Sequence, residues 1–446
     1  MESRLPQLIE RDRRLIANAL RMRYNPVVID RGDGAAFFDP DGKRYLDFGA
    51  GWSIAHLGYS NQHVRDAINR QLAKTTYAGL ISSINEPALD LAQKLVDIVP
   101  CRGPKKVWFG FAGSDASEVA QRLILMATGK KRIVSFVGSW HGTTDAAMGL
   151  SAHPSFAGQL GGGHVTKIPY PNPYRPPFGG SADNLVDQCL NYLENYLFPT
   201  VCPPKDVAAV FVETIQADSG DVVPPADFMP KLRALCDRHD ILLVIDDVKV
   251  GFGRTGRMFS FEHANIEPDV VLLGKSIGGG LPLSSIVGRA DILDVGSGVA
   301  LFTAVGNATS CAAGLAMIEC VERDNLAANA AKNGQYLLNQ LRAKLGGYDV
   351  VGDIRGLGLI LGIELVQDRG AKAPNQSLAA KIVYRAWELG LILYYAGMWG
   401  NVLELTPPII LSKAEVDEGV AILAQAFADA LSGIVSDEAV AQYAGW

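Results

Sequence analysis

The stretch VVLLGKSIGGGLPLS, residues 270–284, sets a short apolar run against Lys275 and a triplet of glycines. Two chemistries use a lysine in such a place. One is a loop that cradles a nucleotide phosphate, spelled G-x-x-x-x-G-K-[ST], whose first glycine stands five positions before the second. Five positions before Gly274 stands Asp269, and DVVLL fills the interval, so that reading fails. The other chemistry uses the amine itself. At the carboxyl end of a buried strand a lysine can form a Schiff base with a carbonyl group, and the glycines let the backbone crowd against what is bound. A solitary lysine at a strand end is usually a solvated charge. The weight therefore falls on the rest of the chain.

Outward from this stretch, apolar β-branched segments alternate with amphipathic helical ones between about residues 85 and 320. KKVWFGF (105–111), KRIVSF (131–136), DVAAVFVE (206–213), ILLVID (241–246), DVVLLG (269–274) and LSSIVG (283–288) are predicted strands. SDASEVAQRLILMATG (114–129), with a Ser/Asp start and a glycine stop, and PADFMPKLRALCDRHD (225–240) are predicted helices. Strands apolar along their whole length mark a mostly parallel sheet covered on both faces, an α/β fold whose ligands bind beyond the carboxyl ends. IPYPNPYRPPFGG (168–180) is a proline- and glycine-rich surface loop. After about residue 325 the pattern becomes a long helix, two strands around GLGLILGIELV, and two more helices. The expected organisation is an N-terminal segment, 1–55, contributing to a small α+β domain, a large domain, 56–322, and the C-terminal part of the small domain, 323–446. GLGLILG (356–362) imitates a dinucleotide-binding fingerprint, but Leu361 holds the third glycine position and no βαβ unit surrounds it. It is read as an internal strand packed closely on a neighbour.

The 446 residues are 48% hydrophobic and 20% charged, ordinary for a protein with a large core. A net charge of −6 without a basic block gives no footing for nucleic acid or an anionic membrane surface. No run approaches the roughly 18 apolar residues of a membrane span. The N-terminal MESRLPQLIERDRRLIANALRMRY is charged and helical in period, without the apolar core of a signal peptide. Six cysteines show neither C-x-x-C nor a metal-ligand cadence and read as buried thiols of a reducing compartment. No metal, nucleic acid or membrane partner is expected, and the expected location is cytoplasmic.

The strand 241–246 ends in Asp246, so an aspartate and a lysine stand at two carboxyl strand ends of one sheet. A pyridinium ring wants that pair. The carboxylate holds a proton on the ring nitrogen and makes the ring an electron sink, while the amine binds its carbonyl carbon. In FAGSDASEVA (111–120) a strand runs through Gly113 and Ser114 into a helix, whose first amides and dipole suit one phosphate. SWHGT (139–143) puts Trp140 at the same edge, where an indole can stack on an aromatic ring. Singly, each feature has a plainer explanation: a capping aspartate, a serine N-cap, a core tryptophan. Their joint order carries the expectation.

IDDVKVGFGRTG (245–256) followed by LLGKSIGGGLPL (272–283) resembles the pyridoxal-phosphate signature of the class III aminotransferases, enzymes of fold type I, and the likeness covers nearly the whole chain. The resemblance implies pyridoxal 5'-phosphate as cofactor, with Lys275 as its Schiff-base lysine, Asp246 at the pyridine nitrogen and Val248 packed on the ring. Gly113 and Ser114 would hold the phosphate. TAVGN (303–307) is similar to a family segment whose threonine reaches the phosphate bound by the other subunit, so Thr303 implies a homodimer with shared sites.

In the family, an arginine that binds the substrate α-carboxylate lies just before a Pro-Pro. Here VLELTPPIIL (402–411) puts Glu404 in its place. A carboxylate in a water-poor pocket needs a bidentate cation and is repelled by a glutamate, whereas an amide or lactam offers it N–H groups. Arg355 and Arg175 are the alternative carboxylate binders. Lys249 replaces a glutamine that many relatives place near the cofactor's phenolic oxygen, where a cation stabilises the phenolate. Asp218, in VETIQADSGD (212–221), follows a strand end and is expected to overhang the cofactor. With PYPNPYRPP and the terminal AVAQYAGW (439–446), these features resemble the α-amino-ε-caprolactam-type racemases, a branch of the family acting on cyclic lactams and amino-acid amides. That branch has a tyrosine where Trp140 stands.

The implied reaction is racemisation at Cα, with Lys275 removing the proton on one face and Asp218 serving the other. Two alternatives stay open. One is a class III aminotransferase with a keto-acid acceptor, in which Glu404 merely enlarges the pocket for amines. The other is a racemase or epimerase of free amino acids. A cofactor-binding scaffold without turnover is disfavoured by the intact lysine, aspartate and phosphate cup. Trp52, Tyr77 and the 168–180 loop are further candidates to line the substrate pocket.

Overall fold

The computed structural model describes residues 3–158, 161 and 163–443, so the last three residues of AVAQYAGW lie outside the described residues. By internal contacts the chain divides into two compact units, Gln62–Ala327 and Met1–Asn61 with Ala328–Trp446.

Gln62–Ala327 is built on seven strands: β1 Lys105–Gly110, β2 Arg132–Phe136, β3 Val165–Ile168, β4 Val207–Glu213, β5 Leu242–Asp246, β6 Val270–Leu273 and β7 Ser284–Arg289. Their order is β1-β7-β6-β5-β4-β2-β3. From β6 to β3 all neighbours are parallel, and β7 runs antiparallel to both β1 and β6. All seven residues of β4 and all four of β6 are buried, as a sheet covered on both faces requires. The helix Gly113–Thr128 supplies one cover. Its Ala116, Val119, Leu123 and Ile124 pack with Phe211, Val244, Val270 and Ile286 of the sheet. Each of the valine, leucine, isoleucine and phenylalanine side chains contributes about 1.5–3 kcal/mol by leaving water. The helix stops where Gly129 turns left-handed, at φ 64°.

The parallel register decides where the chemistry sits. Glu213 at the end of β4 is the partner of Asp246 at the end of β5, and Asp246 is the partner of Leu272 in β6. Three carboxyl strand ends therefore open side by side. The strand β3 was not among those expected. Its VTKI is short and buried at only one of four positions, so it lacks the apolar signal of the central strands.

The other unit holds two four-stranded sheets. One is antiparallel, ordered Val351–Leu357, Ile360–Leu365, Val402–Leu405, Tyr394–Ala396. The second pairs Arg31–Asp33, Ala36–Phe38, Arg44–Asp47 and Leu391–Ile392. GLGLILG is not one internal strand. It spans the end of Val351–Leu357, a turn at Gly358 (φ 60°) and the start of Ile360–Leu365. The close packing expected of it is present, since a Cβ on Gly334 would collide with the Gly358 carbonyl. No helix among the described residues is long and apolar enough to cross a membrane.

Candidate active site at the carboxyl ends of the sheet

Lys275 follows β6 by one glycine and is partly buried. Its φ of +47° is unusual for a non-glycine residue and costs about 1–3 kcal/mol, a strain characteristic of functional sites. Beside it, Val248 is wedged between two glycines. A Cβ on either Gly113 or Gly274 would lie 2.9 Å from Val248 Cγ1. The first helical turn, the loop after β5 and the lysine-bearing strand end thus meet at Val248, at a spacing only glycine permits. Ser114 is not the N-cap, which falls on Ala112. Asp115 takes the Phe111 and Ala112 amides at 2.7 and 3.1 Å, and Ser114 Oγ accepts the Thr143 N–H at 3.0 Å.

Asp246 Oδ2 lies 2.7 Å from His141 Nδ1, and Oδ1 accepts the Val248 N–H at 3.1 Å. The His141 side chain is wholly buried, and its Nε2 has no hydrogen-bond partner among the described residues. A buried imidazole against a strand-end carboxylate fixes that carboxylate's direction. His141 stands in SWHGT beside Trp140 and was not singled out from sequence. It meets a partner 105 positions away, and no linear pattern announces which loop reaches the end of β5.

A second cluster surrounds Asp218. Lys249 Nζ stands 3.6 Å from Asp218 Oδ1, with both side chains nearly inaccessible to water. Burial alone would raise the Asp218 carboxyl. Lys249, Lys275 and His153 outweigh burial and hold it below the usual carboxylate range. Glu213 goes the other way. Burial, then the neighbouring Asp246 and Asp218, push it well above its ordinary value, although it accepts the Trp140 N–H at 2.7 Å and the Ala217 N–H at 3.1 Å. Adjacent carboxyls with proton affinities driven apart are the usual arrangement where one site must handle protons. The Trp140 indole tilts against Phe156 at 4.6 Å and meets His153 edge-on at 5.7 Å.

Thr303 lies exposed on the turn before the helix Ala308–Arg323, and Tyr77 is also exposed. Arg175 lies over the ring of Tyr174 at 5.4 Å.

The remaining expected residues belong to the other unit. Trp52 sits in a run of four left-handed residues, Ala50, Gly51, Trp52 and Ser53, with φ of 46°, 55°, 62° and 69°. Asp47 braces the run by accepting the Gly49 and Ala50 amides at 2.8 and 2.9 Å and the Tyr59 hydroxyl at 2.7 Å. The indole stacks on Tyr394 at 4.7 Å. Glu404 is the strand partner of Tyr394 and is completely buried. Burial raises the Tyr394 phenol, and Asp47 and Glu404 raise it further. Trp52 and Glu404 thus flank one tyrosine that sequence reasoning passed over. Arg355 is engaged by Asp353 at 3.0 Å and Glu364 at 2.7 Å.

In Gln62–Ala327, then, Lys275, Asp246, Val248, Lys249, Asp218, Gly113 and Ser114 gather at one edge, with Trp140 linked through Glu213. The set suits a pyridinium ring with a phosphate tail: a braced carboxylate, an amine on the next strand end, a glycine-lined close approach and a helix N-terminus. The orphaned His141 Nε2 belongs to the same cradle. No group of three or more metal-ligating side chains occurs among the described residues.

Comparison with known proteins agrees. The family model "Aminotransferase class-III" matches residues 18–427. The chain is 37% identical to an alanine/serine racemase of Pyrococcus horikoshii, over 98% of this chain and 93% of that protein. It is 37% identical to a leucine/methionine racemase of Thermococcus litoralis, over 99% and 100%. Among solved structures, the omega transaminase from Pseudomonas jessenii in complex with PMP superposes with a TM-score of 0.88 at 29% identity, covering 95% of this chain and 98% of that one. The chain belongs to the class III aminotransferase family of pyridoxal-phosphate-dependent enzymes, with their fold-type-I architecture.

Proposed function

We propose that this enzyme is a racemase working at the Cα of amino-acid derivatives whose acid group is masked, α-amino lactams and amino-acid amides of the α-amino-ε-caprolactam type. The bound cofactor supplies an electron sink joined to Cα. Lys275 would hold the cofactor, and its amine, when free, would exchange the α-proton on one face. Asp218 exchanges it on the other. Asp246, directed by His141, would hold the ring nitrogen, Val248 would pack on the ring, and Trp140 would stack on it. Gly113 and Ser114 would hold the phosphate, and Lys249 would serve the phenolic oxygen while holding Asp218 below the usual carboxylate range. Thr303, exposed in the single chain, completes the site of a second copy in a homodimer. A cytoplasmic location goes with six free, buried thiols.

The observation that carries this reading is the buried Asp218 carboxylate, 3.6 Å from Lys249 Nζ, with Lys275 among the charges that hold it below the usual carboxylate range. Racemisation needs two proton-handling groups aimed at one carbon, and transamination needs only one. The masked acid group is supported by Glu404 in place of an arginine and by Arg355 being tied to two carboxylates. Trp52 and Glu404 are assigned to the substrate, Glu404 by repelling a carboxylate. A second reading, a racemase of free neutral amino acids, is favoured by the names of the two racemases at 37% identity. A third, transamination, is favoured by the transaminase among the structural neighbours.

The test is to incubate the loaded enzyme in D₂O without a keto acid, separately with an L-amino-acid amide, an L-lactam and L-leucine. Loss of optical rotation with deuterium at Cα is expected for the amide and lactam. Racemisation of leucine alone would move the substrate to free acids, and turnover only with added pyruvate would make the enzyme a transaminase.

A further inference from the structure

The backbone from Val137 to His141 is a meeting place. Ser219 Oγ donates to the Gly138 carbonyl at 2.8 Å and Gln216 Nε2 to the Val137 carbonyl at 3.1 Å, which ties the Asp218 loop to it. The Ala152 N–H donates to the Ser139 carbonyl at 2.9 Å, and the Gly138 N–H to the Ala152 carbonyl at 3.0 Å. Lys167 Nζ donates to the Ser151 carbonyl at 2.8 Å and pins the same segment from the other side. His153 and Asp218 are thus carried by two segments laced to one backbone.

His153 is only 4% exposed, and its ring lies edge-on to Trp140. Its Nδ1 accepts the Ser155 N–H at 3.3 Å and lies 3.0 Å from Ser155 Oγ. A ring nitrogen that accepts an amide proton carries none of its own, so the ring proton is on Nε2, at the opposite side of the imidazole. The other titratable groups around Asp218 are Lys249 from the loop after β5, Lys275 from the end of β6 and Glu213 from the end of β4. Against the Trp140 ring, where the lactam-racemase branch has a tyrosine hydroxyl, His153 is the polar group at hand.

We propose that His153 is a positioning residue for Asp218, its Nε2–H side holding that carboxylate ready as the proton acceptor and donor opposite Lys275. What Asp218 does in turnover rests on the racemase reading, whereas the pairing of His153 with Asp218 does not. The test uses pyridoxal-phosphate-loaded protein and His153→Asn, in which asparagine keeps an acceptor for the Ser155 amide. Infrared difference spectra are recorded from pH 3 to 9, with the Asp218→Asn spectrum subtracted to isolate one carboxyl. His153→Gln is run in parallel, should the asparagine variant fail to fold.

Asp218 is expected to take up its proton about one pH unit higher in the variant, while thermal midpoint and cofactor content stay unchanged. Racemisation is expected to fall about tenfold, with deuterium exchange from the enantiomer served by Lys275 falling less than about twofold. An unmoved Asp218 titration overturns the proposal, and so does an equal fall in both rates. If the wild-type enzyme racemises none of the substrates, the functional reading fails, and the infrared titration alone decides the place of His153.

Discussion

At the scale of the residue, Asp218 and Glu213 show what five positions of sequence can separate. Both are buried carboxyls, Glu213 at the end of β4 and Asp218 in the loop that follows, yet Lys249 holds Asp218 below the usual carboxylate range while burial, Asp246 and Asp218 push Glu213 well above it. Asp218→Asn removes the charge and keeps the shape. Racemisation should collapse by 100-fold or more, the usual range for a lost acid–base group, while α-deuterium exchange from one enantiomer survives. Proton NMR in D₂O measures both. Equal loss would remove Asp218 from its role. Asp247 offers a test of a different kind. Burial raises its carboxyl to about 7, opposed by hydrogen bonds from Ser260 and aided by Asp246 and Glu262. A carboxyl raised in the fold stabilises it fully only below the unfolded value near 4, and that contribution is lost as pH rises through 7. The loss amounts to up to about 4 kcal/mol. Asp247→Asn should therefore flatten the fall in denaturant midpoint between pH 4 and 8. A variant that follows the wild-type curve would show that Asp247 ionises normally.

At the scale of the element, the central strands were legible because each is apolar on both faces, and the carboxyl-end rule then located Lys275 and Asp246. The meeting of His141 with Asp246 was not legible, since register and loop path create it. The backbone from Ala50 to Ser53 was hidden more thoroughly. Only Gly51 hints at positive φ, and alanine, tryptophan and serine argue against a left-handed turn. The strain is borne by Asp47, whose carboxylate receives two amides and a phenol. Asp47→Ala should cost about 3 kcal/mol, the scale of several lost charge-assisted hydrogen bonds. The Trp52–Tyr394 stack should loosen with it. A thermal midpoint within a degree of wild type would mean that the turn is held by something else.

At the scale of the whole molecule, the exposed Thr303 and the proposed sharing of sites make self-association measurable. Sedimentation equilibrium at micromolar concentration should give twice the chain mass of 47.8 kDa. Thr303→Val should leave that mass unchanged and weaken cofactor retention about tenfold, as expected for one lost hydrogen bond to a phosphate. A monomer that keeps its cofactor would refute the sharing. The six cysteines have a consequence of their own. All of them fall within Gln62–Ala327, each is buried, and burial raises every thiol above its ordinary value. A maleimide added to the native enzyme therefore finds no ready thiolate until that unit opens. Its labelling rate is a built-in clock for the breathing of the sheet, and it stays silent however much the other unit frays.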